Sequence, residues 1–337
     1  MRHTAVTSIL ALSLSAGAAL AEGEVNLYSS RHYDTDERLY SDFEAQTGIT
    51  INRIEGKADE LLARMEAEGA NSPADVLITV DTSRLSRAKE MGLLQSVDSD
   101  ILEERIPSNL QDADNDWFGF SQRARIIFYS KDAVDNPPQN YLDLADPAYE
   151  GQVCIRSSTN SYNQTLLAAL VTHHGEEKAT EWAQGVVNNM ARDPEGGDTD
   201  QILGVASGEC NLAVANHYYY VRLLHSDDAA EREAARKVGV IFPNQDDRGT
   251  HVNVGGAGLV ANAQNPENGI RFLEFLASDQ AQEVLAERNY EFPVVEGVKK
   301  NPVLESWGDF AKDDINISIL GENNPEAVRI FDRVGWR

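Results

Sequence analysis

Tyr218, Tyr219 and Tyr220 stand in a row in a chain of 337 residues that has 11 tyrosines in all. No regular element buries three consecutive phenols in one apolar core: strand neighbours alternate sides, and helix neighbours fan out by about 100°. Each buried hydroxyl would also need a partner of its own. The plain reading is a half-exposed aromatic turn beside a core strand. Against it, Tyr33 and Tyr162 occupy the same kind of place, where an apolar strand-like run hands over to a helix. A phenol titrates at about 10 and ionises at neutral pH only beside strong positive charge. A metal ion of charge three is the strongest such neighbour. Hard, compact phenolate oxygen matches ferric iron far better than copper(I) or zinc. His32 offers an imidazole as an extra ligand. Arg31, Arg123 and Arg125 could hydrogen-bond the phenolate oxygens from behind, adding charge that helps deprotonation.

The elements that would position these residues alternate between strand and helix. Residues 25–28 alternate in polarity, Asp34 or Thr35 can cap a helix carrying Leu39, Tyr40 and Phe43, and Gly48 stops it. A second strand follows at 49–52, a helix-like span at 58–68, and a nearly continuous apolar run at 74–80, typical of a strand buried on both faces. Asp81-Thr82-Ser83 caps the next helix, which ends at Gly92. A second unit opens after Gly151, with a strand at 153–156, a turn of capping side chains at 157–161, and a helix from Tyr162 or Asn163. Further helices hold Trp182 and then start near Thr199, before a strand at 210–215 runs into the tyrosine triplet. The pattern predicts α/β architecture with a largely parallel sheet, in which ligands gather at the carboxyl ends of strands.

Residues 117–130 read as one long extended segment with Arg123 and Arg125 inside it. Arginine is rarely buried without an anionic partner, so this is either an edge strand with solvated arginines or a strand whose guanidiniums meet an anion. The glycine-rich run 251–260 lacks the G-x-G-x-x-G frame before a helix, which argues against a dinucleotide loop. Two more helices are expected at 266–276 and 279–287. His173-His174 precedes Gly175 and reads as a helix C-terminal cap in preference to a zinc site.

Met1-Arg2-His3, an apolar stretch to Leu20 and the sequence Ala19-Leu20-Ala21 form a signal peptide over residues 1–21, cleaved before Glu22. The alternative is a buried N-terminal helix. No later stretch approaches the roughly 18 uninterrupted apolar residues of a membrane span. The mature chain, about 315 residues, exceeds one ordinary core, so one very large domain or two lobes is expected. A formal charge of −26 excludes nucleic acid as a partner and argues against anionic lipid, while attracting cations. Cys154 and Cys210 in an exported chain predict one disulfide, the alternative being two buried free thiols. HExxH and GxSxG are both absent, which leaves little for an enzyme.

Taken together, Tyr33 after Ser29-Ser30-Arg31-His32, Tyr162 within 156–164, and Asn216-His217-Tyr218-Tyr219-Tyr220 resemble the periplasmic ferric-iron-binding proteins of ABC importers, in particular their FutA-like subgroup. The resemblance covers essentially the whole mature chain, including Gln122-Arg123-Ala124-Arg125 and 251–258. It implies a two-lobed type II periplasmic-binding fold with crossing hinge strands. The lobes implied are 22–118 plus 247–300, and 119–246 plus 301–337. It implies a periplasmic monomer that binds Fe(III), or alternatively Fe(II), and hands it to an inner-membrane permease. By the same resemblance the ligands are Tyr33 from one lobe and Tyr162, Tyr218 and Tyr219 from the other. His32 matches a histidine that ligates in some members and swings away in others. Tyr220 is left to packing. The loop 157–161, polar but without glycine, puts an obligatory bound anion in doubt. The competing reading is a protein of the same fold for another small ligand such as a polyamine, which would call for carboxylates and aromatic faces in the cleft.

Overall fold

The computed structural model describes residues 23–31 and 33–337. The expected signal peptide over residues 1–21 and the candidate ligand His32 lie outside the described residues.

Strand β1 (Gly23–Ser29) pairs in parallel with β2 (Ile49–Glu55), and α1 (Glu37–Thr47) connects them. That helix buries Leu39, Tyr40 and Phe43 and ends where Gly48 takes a left-handed φ of 72°, which costs glycine no Cβ clash. After α2 (Ala58–Glu68), the apolar run becomes β3 (Val76–Thr79), fully buried and parallel to β1. Helix α3 (Thr82–Glu90) is capped by Asp81, whose carboxylate accepts from the Arg84 amide, and the short β4 (Leu94–Gln95) and α4 (Asp100–Arg105) follow.

The long arginine-bearing segment is β5 (Phe118–Ser130), and it is central, with Arg123 and Arg125 each only 1% exposed. The second unit comprises β6 (Val153–Cys154), α5 (Ser161–Asn189), α6 (Asp198–Ser207), β7 (Leu212–Asn216), α7 (His217–Leu224), α8 (Ala229–Arg236) and β8 (Val238–Ile241). The chain returns through β9 (Val252–Val260), α9 (Pro266–Leu276), α10 (Asp279–Arg288) and β10 (Phe292–Pro293), and closes with α11 (Pro302–Ser306), α12 (Ser318–Glu322) and α13 (Asn324–Val334).

The sheet runs β2-β1-β3-β9-β5-β7-β6. Its flanks are parallel, but β9 is antiparallel to β3, and β5 is antiparallel to both β9 and β7. The sheet is therefore less uniformly parallel than the strand–helix alternation implies, because two long strands run between the halves instead of returning through a helix. β5 serves both: it pairs with β9 up to Ala124 and with β7 from Arg125. Glycine is required in β9 where these strands press together, since a Cβ on Gly256 would sit 2.5 Å from the Phe118 carbonyl oxygen.

One sequence expectation changes in detail. The span α5 consists of the two expected helical stretches, parted at Gly175, which has the non-helical angles φ 80° and ψ 165°. His173 and His174 reach outward instead of capping it: His173 Nε2 lies 2.8 Å from Asp313 Oδ2, and an Arg248 Nη1 donates to His174 Nε2 at 2.6 Å. No helix among the described residues is long and apolar enough to cross a membrane.

Cys154 in β6 and Cys210, two residues before β7, form a disulfide that ties these neighbouring parallel strands together at one end. Closing a 56-residue separation stabilises by about 4 kcal/mol in the chain-entropy model. Reduction is therefore expected to lower the urea midpoint by several tenths of a molar or more, read by far-UV dichroism with and without reductant. Coincident curves would show that the bond adds nothing to the fold.

Candidate metal centre

Each predicted tyrosine sits where a strand ends. Tyr33 follows β1, Tyr162 is in the first turn of α5 beyond β6, and Tyr218 and Tyr219 open α7 beyond β7. The triplet is thus helical, and the fan of side chains separates its members. Tyr218 is fully buried and Tyr219 half-buried, whereas Tyr220 turns to the core, its ring 5.6 Å from Phe128 and its hydroxyl donating to the Val238 carbonyl at 3.4 Å. Four phenols come together. Tyr218 Oη donates to Tyr162 Oη at 3.3 Å, and the Tyr218 and Tyr219 ring centres are 4.3 Å apart. The Arg222 guanidinium lies 4.5, 4.9 and 5.6 Å from the ring centres of Tyr33, Tyr218 and Tyr219.

Burial pushes the phenols of Tyr162, Tyr218 and Tyr219 above their ordinary value, and the negative charge that neighbouring tyrosines would carry pushes the same way. Without a strongly charged cation nearby, burial therefore favours the neutral form of these three phenols.

The predicted arginines surround this cluster and are held by carboxylates. Arg31 makes a bidentate pair with Asp36 (2.8 and 2.9 Å) and a 3.3 Å bond to Glu291. Arg123 donates to Glu291 at 2.9 and 3.2 Å and to the Val80 carbonyl. Burial raises the Glu291 carboxyl, but Arg123 and Arg31 outweigh it and hold it at about 2. Arg125 donates to Asp198 (3.0 and 3.2 Å), to Asn216 Oδ1 (3.1 Å) and to Asn163 Oδ1 (2.6 Å). Since Asn163 follows Tyr162 and Asn216 lies two residues before Tyr218, one guanidinium ties the starts of α5 and α7 together. Their charges stand 5.2 Å (Arg31) from the Tyr33 ring, 5.8 Å (Arg123) from Tyr218 and 5.8 Å (Arg125) from Tyr162. The edge-strand alternative for 117–130 is excluded by this burial. A Cβ on Gly255 would approach Arg123 Nη2 to 3.0 Å and Arg31 Nη1 to 3.1 Å, so this second glycine of β9 makes room for the guanidiniums.

His217, just before the triplet, is buried and neutral. Its Nδ1 accepts from the Ala124 amide at 3.1 Å, its Nε2 donates to the Tyr290 carbonyl at 2.8 Å, and burial lowers it to about 4.

Two residues escaped the sequence reading. Arg222 was recoverable, since it lies three and four positions beyond Tyr219 and Tyr218 on the same helix face. Arg156 stands 5.9 Å from the Tyr162 ring and 3.7 Å from Asp198, and only the fold brings it there.

The chain belongs to the bacterial extracellular solute-binding protein family, whose model matches residues 71–311. It is 53% identical to iron uptake protein A1 of Synechocystis sp. (strain ATCC 27184 / PCC 6803 / Kazusa), over 93% of this chain and 88% of that one. Among solved structures it resembles a Trichodesmium FutA (IdiA) in complex with iron and citrate: TM-score 0.90, 50% identity, 94% of this chain and all of the other covered. The apo FutA2 of Synechocystis PCC6803 matches with a TM-score of 0.88 and 48% identity, covering 93% of this chain and 99% of the other. The architecture is the two-lobed type II periplasmic-binding fold of these proteins.

Proposed function

We propose that this protein captures iron, as Fe(III), between Tyr33, Tyr162, Tyr218 and Tyr219 and delivers it to an ABC permease from the periplasm. The observation that carries the reading is the convergence of these four phenols beneath flanking guanidiniums. His32, adjoining Tyr33, is a candidate fifth ligand. The proposed lobes are 22–118 with 247–300 and 119–246 with 301–337, acting as a monomer. Iron enters against the three tyrosines of the second lobe, and closure brings Tyr33 across. Release follows protonation of the phenolates, reduction, or opening at the permease.

The relatives named above support this reading, one called an iron uptake protein and one solved with iron and citrate. The direct test is to add ferric citrate to purified protein and scan the visible spectrum, with a ferrous control under reductant. A broad red-orange band lost on adding dithionite is expected from tyrosinate-to-iron(III) charge transfer. Retention of ferrous iron without colour would move the reading to Fe(II), and absence of any bound metal would overturn it.

A pH dependence follows from the raised phenols. Each tyrosine that binds as phenolate must release a proton, so below its free value affinity falls tenfold per pH unit for each such group. Three phenols give roughly a thousandfold weakening per unit of acidification. Proton release on loading, measured in weakly buffered solution, is expected to approach three per iron. A value near zero would mean that the phenols stay protonated.

A further inference from the structure

Behind the tyrosines lies a three-residue turn that does not belong to the ligand set. Tyr290 has a left-handed φ of 61°, a conformation that a bulky residue rarely adopts unless its surroundings enforce it. Its neighbours are fully buried and polar: Asn289 and Glu291 are both 0% exposed. Asn289 Nδ2 donates to Asp36 Oδ1 at 2.6 Å, and the Tyr290 carbonyl accepts from His217 Nε2 at 2.8 Å. Glu291 accepts from Arg31 and from Arg123, 260 and 168 positions away in sequence. The turn thereby touches the segment 31–36 that carries Tyr33, the strand β5, and the residue immediately before Tyr218. The Tyr290 ring stacks on His225 at 5.2 Å, and the Glu291 amide donates to the Leu285 carbonyl, which anchors the turn on both sides.

We infer that Glu291 is a positioning residue for the tyrosine cluster: its carboxylate, carried on the strained turn 289–291, holds Arg31 and Arg123 against Tyr33 and Tyr218. The inference rests on the iron reading above. Two guanidiniums buried this close to a cation site need an anion that keeps them in place and cancels their repulsion of the incoming ion. Asp36 serves Arg31 from one side, and Glu291 is the carboxylate that Arg31 and Arg123 share.

Glu291→Gln preserves shape and removes the charge. In the mature protein it is expected to weaken Fe(III) roughly 10–100-fold, as outer partners of metal ligands typically do, and to displace the tyrosinate band. A charge lost from a buried pair also destabilises folding, so Arg123→Met/Glu291→Gln serves as the second variant. Removing both partners leaves less buried charge unmatched, and its thermal midpoint is expected to recover towards wild type. Its iron affinity is expected to stay at least tenfold down and its band displaced. Recovery of midpoint, affinity and band together would make the network packing alone and overturn the inference. An uncoloured wild type that takes up no iron overturns the iron reading and this one with it. A coloured wild type beside a Glu291→Gln protein of unchanged affinity and band overturns this one only.

Discussion

Tyr218→Phe removes one oxygen from a fully buried ring and is expected to bleach the ferric protein and strip most of its affinity. The loss should exceed the roughly 10–100-fold typical of a partner one shell out, because the phenolate itself is gone. The same change leaves Tyr162 Oη without its 3.3 Å neighbour, so the damage reaches a second candidate ligand. Tyr219→Phe should act alike. Tyr220→Phe is the internal control, since that hydroxyl donates to the Val238 carbonyl and its ring packs on Phe128. Band intensity and competition against a chelator measure all three. Full colour and affinity in both Tyr218→Phe and Tyr219→Phe would refute the proposed ligand set.

The second large effect lies in the fold. Asp198 is fully buried, pairs with Arg125, and also accepts from the Asn216 amide at 2.9 Å. Asp198→Ala leaves the Arg125 charge in the core without its carboxylate, a change that typically costs about 3–5 kcal/mol. Because Arg125 also holds Asn163 and Asn216, iron binding should weaken even at temperatures where the variant is folded. Urea unfolding checks the first expectation and ferric titration the second. A stability change under about 1 kcal/mol would mean that water or a neighbour replaces the lost carboxylate.

Much of this architecture was readable from local pattern. Gly48 ends a helix in a left-handed conformation where the sequence places a stop, and α9 spans the expected residues 266–276. The candidate ligands were readable because tyrosines at strand ends are conspicuous against so few tyrosines overall. The partners of the arginines were not. Nothing near Arg123 or Arg125 in sequence announces Glu291 or Asp198, and the edge-strand alternative stayed open until the fold supplied those carboxylates. Strand direction was equally opaque. Alternation of strand and helix speaks for parallel neighbours, but β5 and β9 join neighbours contributed by distant segments, and no local periodicity encodes that.

The strand β5 changes partner between Ala124 and Arg125, yet it is one uninterrupted run of 13 residues. Two halves joined this way cannot swivel as they would on a glycine–serine tether, which keeps no preferred angle. A change in their relative tilt has to be taken up as bend and twist over a few peptide units, and those units push back. If the proposed lobes move against each other, this strand would act as an elastic element with a rest angle of its own. Side chains packed around Ala124 and Arg125 would tune how stiffly the cleft returns to that angle, at a distance from any atom that touches the ion.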